Sequence, residues 1–191
     1  MENEFEKQGI QFKIIEPQMY EVVLDFMWEH FMPDEPIGRS LGITRNWVID
    51  EAYFGEALKD GSSIVALDRE GNIIGARIGM RKWRSSWFSW ILDRVPFNMP
   101  DWMMKIMPLP ENTKKNLPIM IKLFTLLDYN VWRMFSMLGC DLIYEDKAVC
   151  SARTSGVRGL GTELCRRTEL LAKDLGCSHT YAAVTGQEPQ L

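Results

Sequence analysis

"DLIYEDKAVCSARTSGVRGLGTELCRRTELLAKDLGCSHTYAAVTG" occupies residues 141–186 and decides how the chain is read. Residues 141–152 read as a strand with polar residues at the middle. Gly156, Gly159 and Gly161 then fall close together, with Arg158 among them. From 161 to 176 the spacing of Leu164, Leu171 and Leu175 predicts an amphipathic helix, with Gly176 as its stop. "SHTYAAVTG" (178–186) reads as a last strand. The unit is strand, glycine loop, helix, strand.

A helix N-terminus carries unpaired N–H groups and a partial positive charge, so it attracts phosphate. Glycines let main-chain N–H groups approach an anion with no Cβ in the way. Arg158 adds a forked donor. A nucleotide-hydrolysing P-loop would read G-x-x-x-x-G-K-S/T. Gly156 and Gly161 have that spacing, but Thr162 follows directly and the lysine is absent. A dinucleotide fingerprint would read G-x-G-x-x-G, and Leu164 stands at its third glycine. From these residues alone, a glycine-rich turn that holds nothing remains the alternative.

Working outward, "FKIIE" (12–16) reads as a strand and "QMYEVVLDFMWEHF" (18–31) as a helix with Val22, Phe26 and Phe31 on one face. Pro33 and Pro36 end it. Residues 42–61 form a second helix candidate on Trp47, Phe54 and Leu58. In "SSIVALDREGNIIGARIGMR" (62–81) two β-branched runs flank a charged turn, which predicts a hairpin. Residues 113–138 read as a long helix. Between them, residues 83–112 carry four of the seven tryptophans and four of the twelve methionines. That composition fits core packing beneath a long loop, an insertion lining an aromatic pocket, or a helix on a membrane surface. No repeat or linker divides the chain, so 1–191 reads as one α/β (α+β) domain.

The net charge of −4 gives no basic excess for a nucleic-acid role. The charged N-terminus lacks the apolar run of a secretory signal, which places the protein in the cytoplasm. No apolar stretch reaches the roughly 18–20 uncharged residues of a membrane span. Cys140, Cys150, Cys165 and Cys177 form no C-x-x-C pair, and His30 and His179 lie far apart, so no metal site is expected. Free thiols are the simpler expectation.

"RGLGTEL" after a strand, opening a helix that ends in "LGC", resembles the acetyl-CoA pyrophosphate loop of the GCN5-related N-acetyltransferases, Q/R-x-x-G-x-G/A. Gly159 and Gly161 match that pattern, whereas Gly156 stands at its leading Gln/Arg position. "FMPDEPIG" (31–38) resembles the D-E-P segment of the insect arylalkylamine N-acetyltransferases, which include the dopamine enzymes. The order of elements is similar over nearly the whole chain.

The resemblance implies a mixed central sheet flanked by helices and acetyl transfer from acetyl-CoA, without a metal, to an arylalkylamine such as dopamine, serotonin, tyramine or octopamine. An alkylamine, like lysine, has a pKa of about 10 and arrives protonated, so a base is needed. The resemblance assigns that role to Glu35. It lays the pantetheine arm along the strand around Ala148, Val149, Cys150 and Ser151. It gives the diphosphate to Gly156, Val157, Arg158, Gly159, Leu160, Gly161 and Thr162. Arg153 is either a contact of the adenosine phosphate or a surface arginine. The insertion at 83–138 becomes a wall of the amine pocket. The family continues past the last strand with a further helix and two strands. The resemblance therefore also implies a C-terminally incomplete domain with an open sheet edge suited to self-association. Its alternative function is an impaired form that binds CoA or a protein partner.

Overall fold

The computed structural model of the chain describes residues 4–84, 109 and 111–182. A short helix α1 (Glu4–Lys7) leads into strand β1 (Gln11–Ile14). Helix α2 (Tyr20–His30) follows, then α3 (Pro36–Ser40) and α4 (Trp47–Ile49). Asp50–Gly55 is π-helical and passes into α5 (Glu56–Lys59). Strands β2 (Ile64–Leu67) and β3 (Ile73–Trp83) form the expected hairpin. The long helix α6 spans Glu111–Leu138. The C-terminal unit is β4 (Leu142–Ser151), α7 (Leu160–Asp174) and β5 (His179–Ala182). The tryptophan-rich part of the 83–138 insertion lies outside the described residues, as does the chain after Ala182.

The five strands lie in the order β1-β2-β3-β4-β5. The first four pair antiparallel and β5 runs parallel to β4, so the sheet is mixed, as expected. Alternation splits each strand between two helical layers. On β2, Val65 and Leu67 pack with α2, α4 and α5, in a core that includes Val23, Met27, Ile49, Phe54 and Leu58. Ile64 and Ala66 face the other way, against Leu160 and Leu164 of α7.

Two faces differ from the spacing-based expectation. Val22 is 58 % exposed, and α2 instead buries Val23, Leu24, Phe26 and Met27. Trp47 is also 58 % exposed, although Phe54 and Leu58 are buried as expected. The π-helical turn between them explains this. Its i→i+5 bonding takes up more residues than an α-turn, so residues before it are rotated away from the face held by residues after it.

The start of α7 is pinned from one side. Glu163 accepts hydrogen bonds from Arg166 at 2.7 and 2.8 Å and from Arg167 at 2.8 Å. Arg167 in turn lies 4.0 Å over the Phe12 ring and 3.2 Å from Glu6. The Arg166 hydrogen bonds, followed by those of Arg167, outweigh burial and hold the Glu163 carboxyl down at about 2. A carboxyl whose folded pKa is depressed contributes stability above its unfolded value and loses it as pH falls through the folded one. Between roughly pH 4.5 and 2, thermal melts of the wild type should therefore lose stability through this group. Glu163→Gln should be less stable at neutral pH and have a flatter acid limb. Parallel limbs would contradict the assignment.

Candidate active site

The described ladder between β4 and β5 runs from Ile143–His179 to Asp146–Ala182. The register of β4 against β3 shifts at the same place: Ile78 faces Ala148 while Gly79 faces Asp146, leaving Lys147 as a bulge. The bulge reverses the parity of the strand. Before it, Tyr144 packs under α7; after it, Ala148 joins the core on the α2 side. Residues 147–151 thus carry one main-chain edge with no strand partner among the described residues. Arg77 and Asp146 form a buried ion pair. Burial pushes the Asp146 carboxyl up and the Arg77 guanidinium opposes it.

After β4, a 3-10 turn (Arg153–Ser155) leads into the glycine loop. Gly156 (φ +63°) and Gly159 (φ +75°) take left-handed conformations that side chains rarely adopt. Gly159 is the N-cap of α7, and no side chain caps that end. A Cβ at Gly156 or at Gly161 would meet nothing within 4 Å, so the bend is open at those two positions, while a Cβ at Gly159 would touch the Phe5 ring at 3.9 Å. Val157 N–H has a partner in Ser155 Oγ at 3.4 Å. Arg158 is exposed and forms no ion pair among the described residues. Leu160 is buried against β2, so only its backbone is available to a ligand.

The strand candidates divide in the same way. Val149 is 41 % exposed and Ser151 is exposed. Cys150 turns inward, its Sγ 3.6 Å from Met27 Sδ. Burial pushes its thiol up to about 12, so it stays protonated and inert.

The D-E-P segment lies on the α2 side. The Glu35 N–H bonds to Phe31 O at 3.1 Å and Met32 O at 3.3 Å, and prolines stand at 33 and 36. Its carboxylate accepts from Gly38 N–H and caps α3. Glu35 is 6 % exposed. It lines a small cavity of about 10 Å³ with Met32, Ile49, Tyr53 and Met120. Met120 belongs to α6, so the described part of the insertion does reach this cavity. Asp34 points out instead and pairs with Arg153. The latter was expected at an adenosine phosphate or as a plain surface residue. In the structure it ties the D-E-P segment to the start of the glycine loop.

Three further groups meet here that motif reading missed. Tyr53 lines the cavity, and its hydroxyl lies 3.4 Å from Lys147 O. Glu145 is buried on the same face of β4, within 3.4 Å of Lys82 and 3.8 Å of Lys147. Polar residues at the middle of an otherwise apolar strand were the signal for Glu145 and Lys147. Among the described residues, no three His, Cys, Asp or Glu side chains gather as metal ligands would. No described helix is long and apolar enough to cross a membrane.

The fold aligns with solved structures. Arylalkylamine N-acetyltransferase 2 from Aedes aegypti aligns with a TM-score of 0.71 at 23 % identity, covering 94 % of this chain and 77 % of that one. This is the GCN5-related N-acetyltransferase fold. Two more structures share this acetyltransferase fold with the chain. Mosquito arylalkylamine N-acetyltransferase like 5b aligns with a TM-score of 0.70 at 16 % identity, over 91 % of this chain and 75 % of that one. The Drosophila melanogaster polyamine N-acetyltransferase, described as forming N-acetylagmatine, gives 0.70 at 16 %, over 93 % and 77 %. No family model matches the chain, and no curated protein matches it by sequence. At these identities the acetyltransferase fold is what the likeness establishes.

Proposed function

We propose that the protein transfers the acetyl group of acetyl-CoA to the primary amine of an arylalkylamine, with Glu35 as general base. The observation that carries this reading is the uncapped N-terminus of α7 behind an open glycine bend. It lies at the end of a strand whose edge past Asp146 has no strand partner among the described residues, in a fold that also carries a buried carboxylate, Glu35. Amides from Gly156 to Thr162, with Arg158, would take the diphosphate. The edge of β4 at Val149, Cys150 and Ser151 would pair with the pantetheine arm through main-chain groups only. Glu35 would receive the ammonium proton, freeing a lone pair that attacks the thioester carbon. Holding both reactants at one site makes the attack effectively unimolecular.

The lining favours an aryl amine over a polyamine. Two methionines, an isoleucine and a tyrosine lie about Glu35. Apolar and aromatic neighbours suit an aromatic ring beside one cation better than a chain with two. Thiol release from acetyl-CoA, measured with dopamine, tyramine, serotonin, octopamine and agmatine, tests this. The aryl amines should turn over and exceed agmatine by at least about tenfold, the effect of roughly 1.4 kcal/mol of apolar contact. Preference for agmatine would overturn the substrate class, and silence with every amine would overturn the activity.

A further inference from the structure

Tyr53 stands between the two halves of the site. It belongs to the π-helical stretch Asp50–Gly55, and such stretches are rare and gather at functional sites. The turn that rotates Trp47 out to solvent leaves Tyr53 lining the Glu35 cavity. Its ring is held by Phe31, stacked at 6.5 Å, and by Phe54, edge-on at 4.8 Å. Its hydroxyl reaches the bulged residue Lys147 of β4. At 3.4 Å that bond is long for O–H···O.

We propose that Tyr53 is a further catalytic residue whose O–H donates to the thioester carbonyl oxygen as charge develops there. The inference rests on the acetyl-transfer reading above. Burial, then the nearby carboxylates of Glu35 and Glu145, holds the phenol well above its ordinary range, so it works as a neutral donor. Its role is electrostatic, as a donor to the oxygen on which charge develops. As the amine nitrogen bonds to the carbonyl carbon, the C=O electron pair moves onto oxygen, facing Tyr53 O–H. When that pair returns, the C–S bond breaks and sulfur keeps its electrons. The amide nitrogen gives up its second proton to the thiolate, the proton that Glu35 received passes on to water, and Tyr53 ends unchanged.

Tyr53→Phe keeps the ring and removes only the hydroxyl. With acetyl-CoA and dopamine, kcat should fall about 10²- to 10³-fold, the usual effect of one such donor. CoA affinity and Tm should stay as in the wild type. A structural role would not distinguish the acceptor atom, so acetyl-dithio-CoA is the second probe. Its thiocarbonyl is a poor hydrogen-bond acceptor, and the wild-type to Tyr53→Phe ratio should collapse toward one. A ratio within threefold of one for acetyl-CoA overturns the Tyr53 role alone, provided the wild type turns over. An equal loss with both thioesters does the same. A wild type that releases no thiol overturns the acetyl-transfer reading and this role with it.

Discussion

Glu35→Gln should lower kcat with acetyl-CoA and an aryl amine by about 10²- to 10⁴-fold, the range for loss of a positioned base. It should leave CoA affinity and folding nearly untouched. The carboxylate has a second task, because it caps α3 by accepting from Gly38 N–H. Glutamine keeps a side-chain oxygen that accepts the same bond, so the cap survives while basicity is lost. Glu35→Ala would confound the two, since removing a cap costs about 0.5–2 kcal/mol. Steady-state thiol release beside a thermal melt separates chemistry from stability. Turnover within threefold of the wild type would remove Glu35 from the mechanism.

The second large effect concerns Gly161. Gly156 and Gly159 have left-handed φ values, so any side chain there strains the fold. Gly161 lies within α7 and its Cβ would point into open space. Gly161→Leu should therefore fold at least as well as the wild type, and replacing a helical glycine gains up to ~1 kcal/mol. The same side chain would fill the space where a diphosphate has to approach the amides. Two charge-assisted hydrogen bonds lost at ~1.5–3 kcal/mol each weaken CoA binding by about 10²- to 10⁴-fold. A higher Tm together with poorer CoA binding is a combination that ordinary destabilisation does not produce.

The parts legible in the sequence were those governed by neighbours along the chain. The turn "DREGN" announced the hairpin, and Leu164 and Leu171 announced α7. The glycine spacing marked the open bend before α7, and the prolines around Glu35 marked the turn that leads into α3. What stayed hidden depended on departures from regular periodicity. The π-helical turn put Trp47 out of phase with Phe54. The bulge at Lys147 reversed which residues of β4 face α2. On α2, both Val22 and Val23 fit an apolar helical face, and only packing against the sheet selected Val23. Asp34 and Arg153 lie 119 positions apart, and nothing local announces their contact.

Calorimetric titration of CoA and of pantetheine into the wild type and into Gly161→Leu tests most directly whether the bend before α7 grips a diphosphate. The expected result is tight CoA binding by the wild type, far weaker binding of pantetheine, which lacks the diphosphate, and a Gly161→Leu protein that no longer favours CoA. Equal affinity of the wild type for both ligands, or CoA binding unchanged by Gly161→Leu, would contradict the account.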